Sequence, residues 1–318
     1  MNQSPPIRLA VVGVGHLGRH HARVAASLPG VECVGVHDHH EGRAEEVARE
    51  FGLSVLPTLE SVASAAQAAV IATPTSSHAE IASRLLDSGL DVLIEKPITA
   101  SLAEADVLLA LARRRGKLVA VGHVERHNPA VAVALAMVTA PRFVEVHRLG
   151  IFSSRSLDID VVLDLMIHDL QILRDLAQED PVEIRAVGMA VLTPQIDIAN
   201  ARLAFPRGLV ANLTASRVSA EKVRKYRIFA PSLYVSIDMQ AQTVQASRLD
   251  RAGPAPRIAS SEMKVEKEEP LVRELADFVE SVRERRPPLV SGENARSALA
   301  LAQGVREAIA EHRRAVEG

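Results

Sequence analysis

Short apolar runs alternate with amphipathic segments through the first third of the chain. The runs are bounded by turn residues and predict strands, whereas the apolar positions at helical spacing between them predict helices. The predicted strands are 7–12, 32–37, 69–72, 91–94 and 118–121, and the predicted helices are 17–28, 41–51, 76–88 and 101–115. This alternation predicts a doubly wound parallel sheet, which binds ligands at the carboxyl ends of its strands.

After about residue 123 the pattern changes to consecutive strand-like segments. The polar tract 241–264 predicts one or two further strands with loops. Other strands are predicted at 143–149, 182–193, 196–205, 208–217, 223–230 and 233–238, and helices at 160–177, 270–285 and 293–313. The fold class is therefore α/β, with a Rossmann domain followed by an α/β domain that has a large, open, mostly antiparallel sheet.

Composition excludes several classes of function. The 318 residues carry a net charge of −2, which offers no electrostatic surface for nucleic acid. A single cysteine, Cys33, excludes a disulfide framework, and the N-terminus lacks a signal-peptide pattern. No apolar run has the length of a membrane span, so the cytoplasm is the expected location. His37, His39 and His40 cluster near a turn without other placed ligands, so no metal site is expected.

A glycine-rich turn follows the first predicted strand. Gly13, Gly15 and Gly18 form G-x-G-x-x-G and enclose His16 and Leu17. In dinucleotide-binding folds the first glycine allows the tight turn, the second lets the backbone approach a pyrophosphate, and the third allows close helix packing. The turn predicts a cofactor site within a nucleotide-binding domain of residues 1–122. Residues 123–318 are then a domain for substrate binding and oligomerisation, whose C-terminal helix can pack back on the first domain.

Asp38 ends the second apolar run, about twenty residues beyond the glycines. A carboxylate there accepts hydrogen bonds from an adenosine ribose and repels a 2′-phosphate, so the expected cofactor is NAD rather than NADP. Arg43 lies close in sequence and would weaken that preference.

Glu95-Lys96-Pro97 follows the fourth predicted strand at the ligand-binding edge. A lysine beside a cationic nicotinamide has its pKa lowered and can take part in proton transfer at neutral pH. The alternative is a surface lysine paired with Glu95.

Asp164 and His168 lie four residues apart in a nearly apolar predicted helix and therefore share a face. Burying such a pair is costly unless function or hydrogen bonding compensates, and a histidine can remove an alcohol proton near neutral pH. The alternative is a hydrogen-bonded core pair. Asp169 is expected to be solvated on the opposite face.

Two further polar clusters follow predicted strands. Thr73, Pro74 and His78 are expected on the cofactor side, and the second cluster contains Arg126, whose guanidinium fits phosphates and carboxylates. An interdomain salt bridge is an equally good interpretation of Arg126. The remaining candidates for substrate contact are His123, with His127 and Asn128 beside it, and Arg155.

Taken in order, these motifs resemble the glucose–fructose oxidoreductase, inositol dehydrogenase and rhizopine-catabolism (GFO/IDH/MocA) family over nearly the whole chain. The matching segments are Gly13-x-Gly-x-x-Gly18, Ala72-Thr-Pro74, His78, Glu95-Lys-Pro97, Asp164-x-x-x-His168 and Gly292-Glu-Asn-Ala-Arg296. The resemblance implies NAD(P)-dependent oxidation of a sugar hydroxyl, a site between two domains, catalytic Lys96 and His168, a positioning role for Asp164, and a homodimer or homotetramer.

Residues 122–130 and 161–168 most resemble the family members that oxidise the 3-hydroxyl of UDP-N-acetylglucosamine, although His127 stands where those members are expected to have phenylalanine. That branch implies a nucleotide-sugar substrate and a downstream aminotransferase on a route to a diamino lipid A sugar. The alternatives are an inositol or free-sugar dehydrogenase, an NAD-dependent glycosidase of the same fold, and a non-catalytic dinucleotide sensor.

Overall fold

The computed structural model describes residues 5–152, 159–251 and 256–317. Its strands are β1 Ile7–Val12, β2 Val31–His37, β3 Ala68–Ile71, β4 Asp91–Glu95, β5 Val119–Gly122, β6 Phe143–Leu149, β7 Glu183–Met189, β8 Ile198–Ala204, β9 Val210–Ser216, β10 Val223–Ala230, β11 Leu233–Asp238, β12 Thr243–Asp250 and β13 Arg257–Met263. Its α-helices are α1 His16–Ser27, α2 Glu41–Phe51, α3 Leu59–Ala65, α4 His78–Asp87, α5 Leu102–Arg115, α6 Pro129–Met137, α7 Ile167–Ala177, α8 Pro270–Glu284 and α9 Gly292–Glu317.

The first compact unit consists of Met1–Val124 and Glu269–Arg296. Its five strands are parallel and lie in the order β2-β1-β3-β4-β5, which confirms the predicted doubly wound sheet. Helix α5 begins with a capping box of Ser101 and Glu104 and ends at Gly116 in the left-handed conformation. These local signals explain why the helix boundaries here could be predicted from sequence.

Helix α8 belongs to the first unit, whereas the predicted boundary placed everything after residue 122 in the second domain. Its apolar face supplies Leu271, Leu275 and Phe278 to a core that also contains Leu9 of β1 and Ala22 of α1. A segment distant in sequence therefore completes the nucleotide-binding unit. Periodicity identified the helix but does not show which core its apolar face joins.

The second unit consists of Glu125–Glu268 and Ser297–Gly318. Its eight strands lie in the order β13-β12-β11-β10-β6-β9-β8-β7, and every neighbouring pair is antiparallel except β6 with β9. Helices α6 and α7 and the inner face of α9 share one apolar core with this sheet. The large, mostly antiparallel sheet is confirmed, and the polar tract after residue 241 contributes β12 and β13. Among the described residues, no helix combines the length and apolar composition that a membrane crossing requires.

The predicted helix 160–177 differs in its first turns. Residues Val162–Met166 form a π-helical turn, and the α-helix α7 begins only at Ile167. Asp160 caps the segment, because its Oδ1 accepts the N–H groups of Val162 and Leu163 at 3.0 Å. π-Helical turns cost hydrogen-bond geometry and are frequent at functional sites.

The loop between β7 and β8 is organised by Asp197, which explains why the predicted strand 182–193 ends at Met189. Its Oδ2 accepts the N–H groups of Val191, Leu192 and Thr193 at 2.8, 2.7 and 2.8 Å, and its Oδ1 accepts the Thr193 hydroxyl at 2.7 Å. Burial alone would raise the pKa of Asp197, but these donors overcome that effect and lower it to about 2.

Replacing Asp197 with asparagine is expected to destabilise the second unit by about 1–3 kcal/mol at pH 7, because an amide offers fewer acceptor sites to the N–H groups. Because the pKa of Asp197 is lower in the folded protein than in the unfolded chain, where it is near 4, the ionised carboxylate stabilises the fold fully above that pH. This contribution to the free energy of unfolding is lost as the pH falls through about 2. The difference in thermal midpoint between wild type and Asp197→Asn should therefore become smaller as the pH is lowered from about 5 to about 2. Asp180→Asn, at a side chain that is 85% exposed, is the control. A difference that stays constant with pH would contradict this account.

Candidate active site

The glycine-rich turn between β1 and α1 has the geometry that the motif requires. Gly13 has a φ of +82°, and a Cβ there would lie 2.6 Å from Thr73 Cγ2. A Cβ at Gly18 would lie 1.8 Å from the Gly13 carbonyl oxygen, so any side chain would separate α1 from the turn. A Cβ at Gly15 would meet no atom within 4 Å, which leaves the backbone approachable there. The three glycines therefore serve the three purposes that the motif predicts.

Helix α1 begins at His16 directly after the turn, and no side chain caps its N-terminus. The first N–H groups of a helix carry partial positive charge and bind phosphate when no side chain satisfies them. His16 stacks edge-on against His20 at 5.1 Å, and Leu17 is 39% exposed. This end of α1 fits a dinucleotide pyrophosphate.

Asp38 follows β2 and is held against the glycine-rich turn. Its Oδ2 accepts the Val14 N–H and its Oδ1 accepts the His40 N–H, both at 2.9 Å, and Arg43 Nη1 lies 3.3 Å from each oxygen. Burial alone would raise the pKa of Asp38, but the His40 and Val14 N–H groups and Arg43 lower it below its ordinary value. The carboxylate thus stays ionised at the position expected for a ribose acceptor.

Asp38→Ser is expected to shift cofactor preference from NAD towards NADP. The substitution removes a charge that repels a 2′-phosphate and releases Arg43 to pair with it. We expect kcat/KM for NAD to fall about tenfold or more, as for a lost hydrogen bond to a charged group. Initial rates with both cofactors measure this, and adding Arg43→Ala should remove the gain with NADP. An unchanged preference for NAD in Asp38→Ser would contradict the assignment.

The loop after β3 is tied to the loop after β4 by His78. This buried imidazole places Nδ1 2.9 Å from the Pro97 carbonyl oxygen and Nε2 2.9 Å from the Thr73 carbonyl oxygen. The Thr73 hydroxyl accepts the Ser77 hydroxyl at 2.9 Å, and Pro74 lies between β3 and the short 3₁₀ turn Thr75–Ser77. The predicted polar cluster thus meets Lys96-Pro97, whose peptide bond is cis.

Glu95 ends β4 and is buried, with 6% of its surface exposed, and Lys96 is half-buried. Glu95 Oε1 lies 2.7 Å from His21 Nε2, and Oε2 accepts the Lys96 backbone N–H at 3.2 Å. Glu95 is thus an interior side chain rather than a surface one. Glu95 instead joins β4, α1 and the backbone of the lysine.

In the second unit, Asp164 lies in the π-helical turn and is half-buried, and His168 lies in the first turn of α7 and is 9% exposed. A π-helical turn is wider than an α-helical one, so the simple i, i+4 geometry assumed from the sequence does not apply here. Asp160, which begins this segment, also pairs with Arg306 of α9 at 2.7 Å. Asp160 thus holds the π-helical turn both by local hydrogen bonds to its backbone and by an ion pair with a distant helix.

The expectation that Asp169 is solvated was wrong. The residue is 1% exposed, and its carboxylate receives two hydrogen bonds from Arg148 of β6, at 2.7 and 2.8 Å. Arg148 also donates to Glu125 at 2.8 Å, and Arg224 donates to the same oxygen at 2.9 Å. Burial would raise the pKa of Glu125, but Arg148 and Arg224 lower it. A buried ion network therefore anchors α7 to the sheet at the residue next to His168.

Of the expected substrate residues, His123 directly follows β5 in the first unit and is buried. In the second unit, Arg126 Nε lies 2.5 Å from Asp175 Oδ2 of α7, so its ion pair is internal to that unit. Asn128 caps α6 by accepting the Ala130 N–H at 3.0 Å, and His127 is buried. Arg155 lies outside the described residues.

Comparison with known proteins decides the family. The oxidoreductase family with an NAD-binding Rossmann fold (GFO/IDH/MocA) matches residues 7–123, and the GFO/IDH/MocA C-terminal domain matches residues 136–231. The chain belongs to the GFO/IDH/MocA family. It is therefore an NAD-binding oxidoreductase, and the glycine-rich turn, the α1 N-terminus and Asp38 all fit that cofactor.

Two relatives in this family are informative. UDP-N-acetylglucosamine 3-dehydrogenase of Acidithiobacillus ferrooxidans is 39% identical over 307 residues, covering 95% of this chain and 97% of the relative. A solved structure of that enzyme has a TM-score of 0.90 at 38% identity and covers 96% of this chain and 98% of the other. The NAD-dependent scyllo-inositol 2-dehydrogenase of Bacillus subtilis is 30% identical and covers 67% of this chain and 68% of the relative.

Sequence reasoning missed two residues beside the GFO/IDH/MocA motifs of the first unit. His21 and Glu274 both lie with their side chains buried near Glu95. A signal for Glu274 was present, because it stands on the apolar face of α8 between Leu271 and Phe278. The same signal was present for His21, because it shares the buried face of α1 with Gly18, Val24 and Ala25.

Proposed function

We propose that this chain is a nucleotide-sugar dehydrogenase that oxidises the 3-hydroxyl of UDP-N-acetylglucosamine to a ketone. The observation that supports the substrate is the 39% identity, spread over 95% of the chain, to a relative with that named activity. The reaction converts the secondary alcohol and NAD into the ketone, NADH and one proton. NAD, when bound, accepts the hydride from the carbon that carries the hydroxyl.

We assign proton removal to His168. Its buried position in α7 and the anchoring of Asp169 to Arg148 hold the imidazole on a fixed helix. An imidazole is the side chain best suited to take an alcohol proton near neutral pH. Asp164, in the π-helical turn before it, is assigned to orient the histidine or the substrate.

Lys96 is assigned to hydrogen-bond the alkoxide that forms as the proton leaves. A cationic donor placed where negative charge develops lowers the barrier because it requires no reorganisation during the reaction. The backbone of Lys96, whose N–H donates to Glu95 Oε2 at 3.2 Å, supports such a placement.

For the nucleotide end of the substrate we propose Arg126 and Arg155 as candidates for the diphosphate, and His123 for the sugar. Arg126 is held by Asp175 and remains 15% exposed, so its fork is oriented before any ligand arrives.

We further propose the cellular setting. A 3-keto sugar is a substrate for transamination, so an aminotransferase that forms a diamino sugar for lipid A is the expected consumer of the product. Because NAD and nucleotide sugars are cytoplasmic metabolites, we expect the reaction to take place in the cytoplasm. Exposed apolar side chains on and beyond β7, Val187, Met189, Val191 and Leu192, suit a homodimer or homotetramer.

The test is NADH formation from UDP-N-acetylglucosamine, in parallel with free N-acetylglucosamine, scyllo-inositol and a 3-deoxy UDP-sugar. An aminotransferase and amine donor remove the ketone, since the equilibrium of alcohol oxidation can be unfavourable. We expect turnover with UDP-N-acetylglucosamine and with none of the other three compounds. Turnover of inositol or of the free sugar instead would assign the chain to that branch, and firm NAD binding without turnover on any substrate would indicate a sensor.

A further inference from the structure

Three ionisable side chains meet in the interior of the first unit, and one of them directly precedes Lys96 in the chain. They are His21 of α1, Glu95 at the end of β4 and Glu274 of α8, which are 0%, 6% and 1% exposed. One nitrogen or oxygen atom from each lies within 4.8 Å of the others. Burial of a histidine and two carboxylates is costly, so their arrangement calls for an explanation.

Glu95 is fixed on three sides. Because a carboxylate accepts hydrogen bonds, His21 Nε2 is the donor in its 2.7 Å contact with Oε1. Oε2 accepts the Lys96 backbone N–H at 3.2 Å. On the third side, a Cβ at Gly122 would lie 2.9 Å from Glu95 Cδ, so the glycine leaves the space that the carboxylate fills.

Glu274 completes the cluster from α8. Among the described residues, neither of its carboxylate oxygens has a hydrogen-bond partner. Burial, together with the nearby Glu95 and Asp277, raises the pKa of Glu274 well above its ordinary value. The raised pKa favours the neutral form of this side chain, which would spare the cluster a second negative charge beside Glu95.

The distances favour a hydrogen-bonded network over a metal centre. Two ligands of a tetrahedral zinc ion with bonds near 2.0–2.1 Å are about 3.3 Å apart. The 2.7 Å between His21 Nε2 and Glu95 Oε1 is shorter than that and has the length of a charge-assisted hydrogen bond.

We propose that His21 is a positioning residue for Lys96: it holds the Glu95 carboxylate, which holds the Lys96 backbone, and Glu274 packs against both. The proposal rests on the proposed function through the role of Lys96. His21 lies at the end of a path of two hydrogen bonds, so its effect on the reaction is indirect. Small displacements of a reacting group cost rate steeply, which gives such a residue a measurable effect.

The first experiment compares His21→Leu with His21→Gln. Leucine fills the space without a donor, whereas the glutamine amide restores an N–H at a reach similar to Nε2. We expect His21→Leu to lower kcat about 100-fold with little change in NAD affinity, and His21→Gln to recover most of that loss. Thermal unfolding and NAD titration accompany the kinetics, and Ser281→Ala, at a buried position of α8 in the same unit, is the control.

A second variant disturbs the Glu95 carboxylate through a different neighbour, Gly122. Gly122→Ala places a methyl group against Glu95 while His21 stays intact, and we expect a loss of kcat of about the same size. This variant keeps the proposal testable should His21→Leu fold poorly.

Amide hydrogen exchange at Lys96, followed by NMR, tests the positioning without any substrate. We expect faster exchange in His21→Leu and Gly122→Ala and near-normal exchange in His21→Gln, because the Lys96 N–H is held through Glu95. Unchanged exchange in both disruptive variants overturns the proposal, as does equal kcat in His21→Leu and wild type. A bound metal ion that is lost on Glu274→Gln also overturns it. Near-normal turnover in Lys96→Ala would instead overturn the proposed function and leave the exchange result to decide the positioning.

Discussion

Lys96→Ala and His168→Ala should each lower kcat by about 10³-fold, since positioned proton-transfer groups typically contribute 10²–10⁴. The affinity for NAD should stay within about threefold in both variants, because neither residue belongs to the glycine-rich turn. The expected pattern is a loss in kcat with a small change in KM, which is the signature of an interaction made in the transition state.

The measurement is steady-state kinetics with the best substrate of the panel, with NAD binding followed by titration. Lys117→Ala and His312→Ala remove the same residue types in the two units away from the proposed site and serve as controls. The double variant separates the roles further. If Lys96 and His168 act on the same proton-transfer step, their effects should be far from additive, as is typical of catalytic groups that act as a unit. Near-normal turnover in either single variant contradicts the role assigned to that residue.

Arg148→Met should destabilise the second unit by about 3–5 kcal/mol, because breaking a buried pair leaves uncompensated charge. Arg148 is 3% exposed and donates hydrogen bonds to two buried carboxylates, those of Asp169 and Glu125. Methionine preserves most of the volume, so the expected loss is electrostatic rather than a cavity effect.

The thermal midpoint should fall by about 10 °C for a unit of this size. Arg185→Met is the control, because its partner Glu183 lies on the surface, and we expect a change within about 0.5 kcal/mol. Adding Asp169→Asn to Arg148→Met should restore part of the stability, because it removes the buried carboxylate that has lost both of its hydrogen bonds from Arg148. A loss in Arg148→Met no larger than in the control contradicts the account.

The nucleotide-binding half could be predicted from sequence because its signals are local. The turn at Gly13–Gly18, the carboxylate at Asp38 and the position of Lys96 each depend on a few neighbouring residues and on the edge of a parallel sheet. The structure brings the turn, Asp38 and Thr73 together as that rule predicts. Helix α6 was missed because its residues are apolar all round and show no helical face.

The supporting network could not be predicted in the same way, because each of its contacts joins segments far apart in sequence. The burial of Asp169 depends on Arg148, 21 residues earlier on β6. The sequence did contain one indication that Arg148 is buried, because it falls on the same face of β6 as Val144 and Val146. The assignment of α8 to the first unit had no comparable signal, because periodicity reveals a buried face but not its partner.

The most direct test of the central claim is isotopic. UDP-N-acetylglucosamine carrying deuterium at C3 is incubated with the protein and NAD, and the reduced cofactor is analysed by mass spectrometry. The account predicts transfer of the deuterium to the nicotinamide, with the 3-keto UDP-sugar as the only oxidised product. Unlabelled NADH, or no reduction of NAD while the ketone is being removed, would contradict it.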